Sequence, residues 1–261
     1  MKIKNIALSI LETLKSVAAI FCLLLLWEIA PRLQWVDPFF IPPLSSILVA
    51  FWHLILSGEW EKLALVSLKR VFIGYSISVV IALPLGFIIG WFKRCERILN
   101  PLLQALRQVN ATTILPLFIL MFGIGEVSKI SIIAYSGIWS VFMNTINGVK
   151  NVDPLLIKCA KSLKLSNWQI FRKVAFPAAL PSVFTGLRYG ITIALLLLIS
   201  AEMLGGTSGI GYAINNWQML SKAEQMWSGI LTMVIFGLVF NYSFIALEKR
   251  MSRWKEDAPR G

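Results

Sequence analysis

Few residues of this sequence are equipped for chemistry, and their spacing points away from catalysis. His53 is the only histidine, and Cys22, Cys95 and Cys159 stand far apart with no C-x-x-C pair. That set offers neither a disulfide framework nor metal-ligand spacing, so no metal and no cofactor is expected. The phosphate-cradling pattern G-x-x-x-x-G-K-[ST] does not occur, so the chain is not expected to hydrolyse ATP by itself. The glycine-rich run GGTSGIG at 205–211 follows no predicted strand and reads as a turn. What remains is charge and hydrogen bonding. Glu202 is isolated in a long apolar stretch, Asn110, Thr112 and Thr113 cluster in another, and lysines crowd between Gly148 and Pro177.

The elements that would position these groups follow from composition. The chain is 57% hydrophobic and only 15% charged, against about 45–50% and about 25% in soluble domains. Six stretches approach the roughly 20 apolar residues that a spanning helix needs. They lie near 16–30, 64–92, 101–122, 128–146, 178–204 and 226–247. These runs are too long for barrel strands. The expected fold is all-α, an integral membrane protein of six transmembrane helices forming one domain over residues 1–261. Lys2, Lys4 and Lys15 ahead of the first run resemble a signal peptide, but Glu28 and Pro31 follow it without an A-x-A site, so an uncleaved span is expected. Pro42-Pro43 in the connection 31–63 introduces a short helix at Leu44–Leu56, suited to the membrane interface or to plain packing.

The net charge of +12 is scattered in short clusters between apolar runs, a loop pattern rather than a nucleic-acid patch. Lys93, Arg94, Arg97, the basic loop near 150–173 and a tail with Lys249, Arg250, Arg253, Lys255 and Arg260 share one side with the N-terminus. The other side holds Arg32, Lys62, Lys129 and Lys222. This asymmetry predicts a multi-pass plasma (inner) membrane protein with both termini cytoplasmic. Lys69, Arg70, Arg107 and Arg188 fall near span ends and are expected to snorkel to the interface.

The long inner loop carries its own helix signals. Asp153-Pro154 is an N-cap followed by proline in the first turn. Leu155, Leu156, Cys159, Ala160 and Leu163 recur at helical spacing, with Lys158, Lys161 and Lys164 on the other side. Ser166 with Gln169 reads as a capping box opening a second helix, with Ile170, Phe171 and Val174 as its apolar stripe. Pro177 and Pro181 mark the entry to the fifth span. A compact cytoplasmic helix–turn–helix follows, able to touch anionic lipid headgroups or to dock a partner. Within the spans, Glu202 reads as lining a pathway or gate, or as a helix-end carboxylate at the interface. Asn110, Thr112 and Thr113 could line a path or hold helices together by hydrogen bonds. Pro84 and Gly86 suggest a kink.

The loop resembles the cytoplasmic signature of binding-protein-dependent ABC importer permeases: Glu-Ala-Ala, three residues, Gly, nine residues, Ile-x-Leu-Pro. It starts at Lys158 and ends at Pro177. Ala160 and Pro177 match, Val174 and Phe176 are apolar replacements, and Lys158, Cys159 and Lys164 depart from Glu, the first Ala and Gly. The runs SNWQIFRKVAFPAALPSVFTGLRYG, SLKRVFIGYSISVVIALPLGFIIGW, LPLFILMFGIGEVSKI and SAEMLGGTSGIGYAI resemble the nitrate/sulfonate/taurine-type branch.

The resemblance implies a type I permease core with a coupling helix, paired with a second copy of the chain in membrane lipid. It also implies two cytoplasmic ATP-binding subunits and an extracytoplasmic substrate-binding protein, which largely sets selectivity. Asp153, Lys158, Cys159, Ala160, Lys161, Lys164, Ser166, Phe171 and Pro177 would then serve ATPase coupling. Because Lys164 can adopt a right-handed helical conformation, the bend is expected nearer Leu165–Ser166. The implied solute is a small anion such as a sulfonate, taurine or nitrate, with a vitamin precursor as the alternative. An ATP-independent channel or secondary carrier would call for intramembrane charges or inverted repeats. A membrane enzyme would need paired acid–base or metal groups.

Overall fold

A computed structural model describes residues 2–251. Arg253, Lys255 and Arg260, and the side chains of Lys2 and Lys4, lie outside the described residues. Every regular element among the described residues is helical: α1 Lys2–Arg32, α2 Leu44–Leu56, α3 Glu59–Trp91, α4 Lys93–Arg107, α5 Ala111–Phe122, α6 Glu126–Lys150, α7 Pro154–Ser162, α8 Asn167–Ile170, a π-helical turn Phe171–Ala175, α9 Phe176–Gly205, α10 Ile210–Met219 and α11 Ala223–Met251. The chain forms two compact units, Met1–Glu61 with Ala213–Leu231, and Lys62–Tyr212 with Thr232–Gly261.

In the first unit the helix predicted at Leu44–Leu56 forms with those bounds. Pro43 precedes α2 without a capping side chain. Glu28 of α1 supplies the missing acceptor, taking hydrogen bonds from Ser45 N at 2.9 Å and Ser45 Oγ at 2.8 Å. Ile47, Ala50 and Leu54 are buried, while Leu48, Val49, Trp52 and Leu56 are exposed.

In the second unit α3, α6 and α9 pack closely. A Cβ on Gly86 would come within 2.8 Å of Thr145, so this glycine lets α3 and α6 approach. The α-helix continues unbroken through Pro84. Helix α6 buries Ser128, Ser136, Thr145, Gly137 and Gly148 among its apolar residues, so its faces meet protein.

Among the described residues, three helices are long and apolar enough to cross a membrane: Glu59–Trp91, Asn167–Gly205 and Ala223–Met251. The predicted third span is not one helix. It divides into α4 and α5, which meet at 86°. Asn110 causes the break by capping α5, its side chain accepting from Thr112 N at 2.9 Å. The 12 residues of α5 extend about 18 Å, short of the roughly 30 Å hydrocarbon layer. Helix α4 buries none of its residues and is charged along one side.

Candidate functional site

Two polar constructions stand out in the second unit. The first surrounds Glu202, near the C-terminal end of α9. Its side chain is fully buried, and both carboxylate oxygens accept from Ser67 Oγ at 2.9 Å. Arg70 Nη1 donates at 2.6 Å and Gly211 N at 2.8 Å. Arg70 is only 1% exposed. It also donates through Nε to Glu126 Oε2 at 2.8 Å, through Nη1 to the Ser208 carbonyl at 2.7 Å and through Nη2 to Ser208 Oγ at 3.0 Å. Arg70 therefore does not snorkel as the sequence suggested. A buried acid on α9 offers a fixed, desolvated partner, and a guanidinium can satisfy several acceptors at once.

The glycine-rich turn closes this cluster. Ile210 N donates to Ser67 Oγ at 2.9 Å, and Gly209 has φ of +104° with its Cα facing the Glu202 carboxylate. A Cβ at Gly209 would overlap that carboxylate. The turn thus needs glycine for both its backbone conformation and its close approach. Burying charges is costly, and the dense set of donors and acceptors offsets that cost here. The assembly fastens α3, the start of α6, the end of α9 and the following turn to one another. It contains no group poised for catalysis.

Ser67, Arg70, Glu126 and Ser208 were missed as a set by sequence reasoning. The available signal was complementarity: an acid within one apolar stretch and a base within another call for each other. Asn110, Thr112 and Thr113 do not join the cluster. All three are exposed at the start of α5, rather than holding helices of this chain together.

The second construction is the loop between α6 and α9. Asp153 Oδ1 accepts from Leu155 N at 2.8 Å, capping α7 as predicted. Helix α7 ends at a residue the sequence placed wrongly. Lys164 adopts φ of +55°, so the bend sits on Lys164 itself. Lys164 N donates to Lys161 O at 2.9 Å and Leu165 N to Ala160 O at 3.3 Å, the paired bonds of a Schellman termination. The termination uses the left-handed conformation even where a lysine replaces the signature glycine, at a cost of about 1–2 kcal/mol.

Ser166 and Gln169 form the predicted capping box, with Ser166 N to Gln169 Oε1 at 2.8 Å and Gln169 N to Ser166 Oγ at 3.3 Å. The second helix is not separate from the fifth span, however: helix runs from Asn167 to Gly205. A proline ring would collide with the carbonyl four residues back, here Lys173, in a regular α-helix. The wider π-helical turn Phe171–Ala175 places Lys173 outside regular α geometry, which accommodates Pro177. Phe171 anchors this turn through ring contacts with Trp91 at 5.3 Å, Trp168 at 5.7 Å and Phe87 at 5.9 Å.

Of the predicted loop residues, Ala160 is buried, whereas Asp153, Lys158, Cys159, Lys161, Lys164 and Ser166 are exposed. The apolar positions of α7 largely turn outward. Leu155 is 63% exposed, Leu163 75% and the neighbouring Trp168 66%. The loop is a capped helix–turn–helix whose exposed residues include both apolar side chains and lysines.

Residues 82–254 match the family described as binding-protein-dependent transport system inner membrane component. This chain belongs to that family. It is a permease-type membrane protein, and its resemblance to the sulfonate, taurine and nitrate branch is borne out among its relatives. The putative aliphatic sulfonates transport permease protein of Bacillus subtilis is 35% identical over 230 residues, covering 88% of this chain and 83% of that protein. The taurine transport system permease protein of Escherichia coli is 30% identical over 247 residues, covering 92% and 89%. The fold is similar to a chain of the methionine ABC transporter solved in inward-facing conformations, with TM-score 0.64, 17% identity, and 77% and 97% coverage.

Proposed function

We propose that this permease is the pathway-forming subunit of an ATP-driven importer for small sulfonated anions. On this reading the short α5 makes the third of six crossings, and the permease works as a pair of copies with both termini and the α7 loop in the cytoplasm. Two ATP-binding subunits seat on the α7 loops, and an extracytoplasmic binding protein delivers the solute. The observation that carries this reading is the exposure of Leu155, Leu163 and Trp168 on one doubly capped loop. Soluble surfaces rarely leave such residues clustered in water, and a partner groove would cover them. A capped helix transmits the partner's movement as a rigid body, so ATP binding can bias which side the pathway faces.

Sulfonate as cargo is supported by the two curated relatives just described, both named for sulfonated solutes. On this reading Glu202, buried against Arg70, fastens helices rather than binding the anion, because a carboxylate repels anions. The test is isolation of the detergent-solubilised chain from its native membrane, with mass spectrometry of what accompanies it. The expected result is an ATPase subunit in near-equal amount, and sulfonate uptake that requires ATP. A chain isolated without one, moving solute in liposomes without ATP, would replace this reading with a channel or secondary carrier.

A further inference from the structure

Helix α9 carries a second charge, which the buried cluster does not use. Arg188 lies roughly 18 Å along the helix from Phe176 and roughly 21 Å from Glu202. Both distances exceed the reach of a side chain, so Arg188 does not snorkel as the sequence suggested. Its neighbours fix its level. Tyr75 of α3 donates to the Leu187 carbonyl, and a Cβ on Gly190 would come within 3.0 Å of Val141 on α6 and 3.1 Å of Tyr75. Tyr75 belongs to residues 71–92 of α3, which hold no charge. Arg188 is therefore set beside the uncharged part of a spanning helix.

The buried side of α9 here is the one facing α3 and α6. Its other side carries Arg188 and Thr185, both half-buried, and Thr192, which is exposed. Tyr189 is 57% exposed. The Arg188 guanidinium lies 6.0 Å from the Tyr189 ring and forms no ion pair among the described residues. A second copy of the chain offers no acid at this depth either. Residues 16–27, 71–92, 111–125, 130–149 and 225–247 contain no charged side chain, and Arg188 is the one charge within 177–201. An unpaired cation deep in a membrane faces water or a pathway rather than hydrocarbon. Its counter-charge must come from outside the protein.

We infer that Arg188 binds the carried anion midway across the membrane, its guanidinium fork donating to two oxygens of a sulfonate group. This rests on the importer reading above and adds to it the residue that meets the solute. Glu202 holds the helices, and Arg188, on the uncovered side of the same helix, receives the charge.

The test places a thiol one turn from Arg188. In the full chain, with Cys22, Cys95 and Cys159 changed to Ser and Thr192→Cys introduced, labelling in liposomes is compared for sulfonatoethyl and trimethylammonioethyl methanethiosulfonate. Relative to their rates on a free thiol, the anionic reagent is expected to be favoured, butanesulfonate to slow both, and Arg188→Gln to remove the preference. No labelling by either reagent, no protection by butanesulfonate, or an unchanged preference in Arg188→Gln would each overturn the inference. Protection is read with Arg188 intact, so it decides even where Arg188→Gln fails to fold. In the complex with ATPase subunit and binding protein, Arg188→Gln should lower butanesulfonate uptake roughly tenfold or more while ATPase capture persists. Arg188→Lys should restore part of it, keeping the charge without the fork. Full uptake by Arg188→Gln would overturn the inference and leave the importer reading standing, whereas wild type isolated without an ATPase subunit would end that reading itself.

Discussion

Helix α3 carries two unlike regions. In its first half Arg70 is locked into a buried cluster with Glu202, Ser67 and Ser208. At its C-terminal end, Trp91 supports Phe171 beneath the exposed basic loop. The two positions are separated by roughly 31 Å along the helix, about the thickness of a hydrocarbon layer. The first region satisfies its charges internally and buries Arg70 and Glu202. The second leaves its charges and several apolar side chains uncovered. Charge without an internal partner is available to something outside the chain, whereas charge that is fully paired holds the chain's own helices together.

Breaking the buried region should have the largest effect. Glu202→Ala removes the buried partner of Arg70 and leaves it the partly exposed Glu126, at an expected cost of about 3 kcal/mol, the low end for a broken buried pair, measured as thermal unfolding of the purified chain. Glu202→Gln keeps the shape and should permit membrane insertion while changing uptake or its ATPase coupling. Uptake indistinguishable from wild type would make the cluster purely structural. Gly209→Ala comes next. The required φ costs roughly 1–3 kcal/mol for a residue with a Cβ, and the overlap with the Glu202 carboxylate adds to it; unchanged stability would show that the turn does not close on Glu202.

The basic loop should respond differently. Lys164→Gly relieves the left-handed lysine and is expected to stabilise by about 0.5–1 kcal/mol, the strain relief less the entropy of glycine. A loss of stability would mean that the Lys164 side chain contributes more than its backbone costs. The smallest stability effect belongs to Lys158→Glu with Lys161→Glu. Both side chains are exposed, so unfolding should not shift, yet copurification with the ATPase subunit should fall. Intact assembly would remove these lysines from the contact and blur the distinction between the two regions.

Much of this was legible in the sequence because it depends on local rules. Helix α2, the Asp153 cap and the Ser166–Gln169 box formed where side-chain chemistry and proline placed them. The all-helical fold follows from long apolar runs whose backbone groups must be satisfied within each segment. The break at Asn110 was locally encoded too, but its polar side chain was read as part of a span rather than as a cap.

The sequence alone determined the helical membrane character, the family and the loop that projects from the spans, since composition, periodicity and capping act over a few residues. Tertiary structure decided the partners of Arg70 and Glu202, 132 residues apart, because only packing brings such positions together. It also decided that α7 turns its leucines outward and that a lysine occupies the left-handed position. Helical spacing specifies that a stripe exists, while the direction it faces depends on which neighbours remain free to cover it.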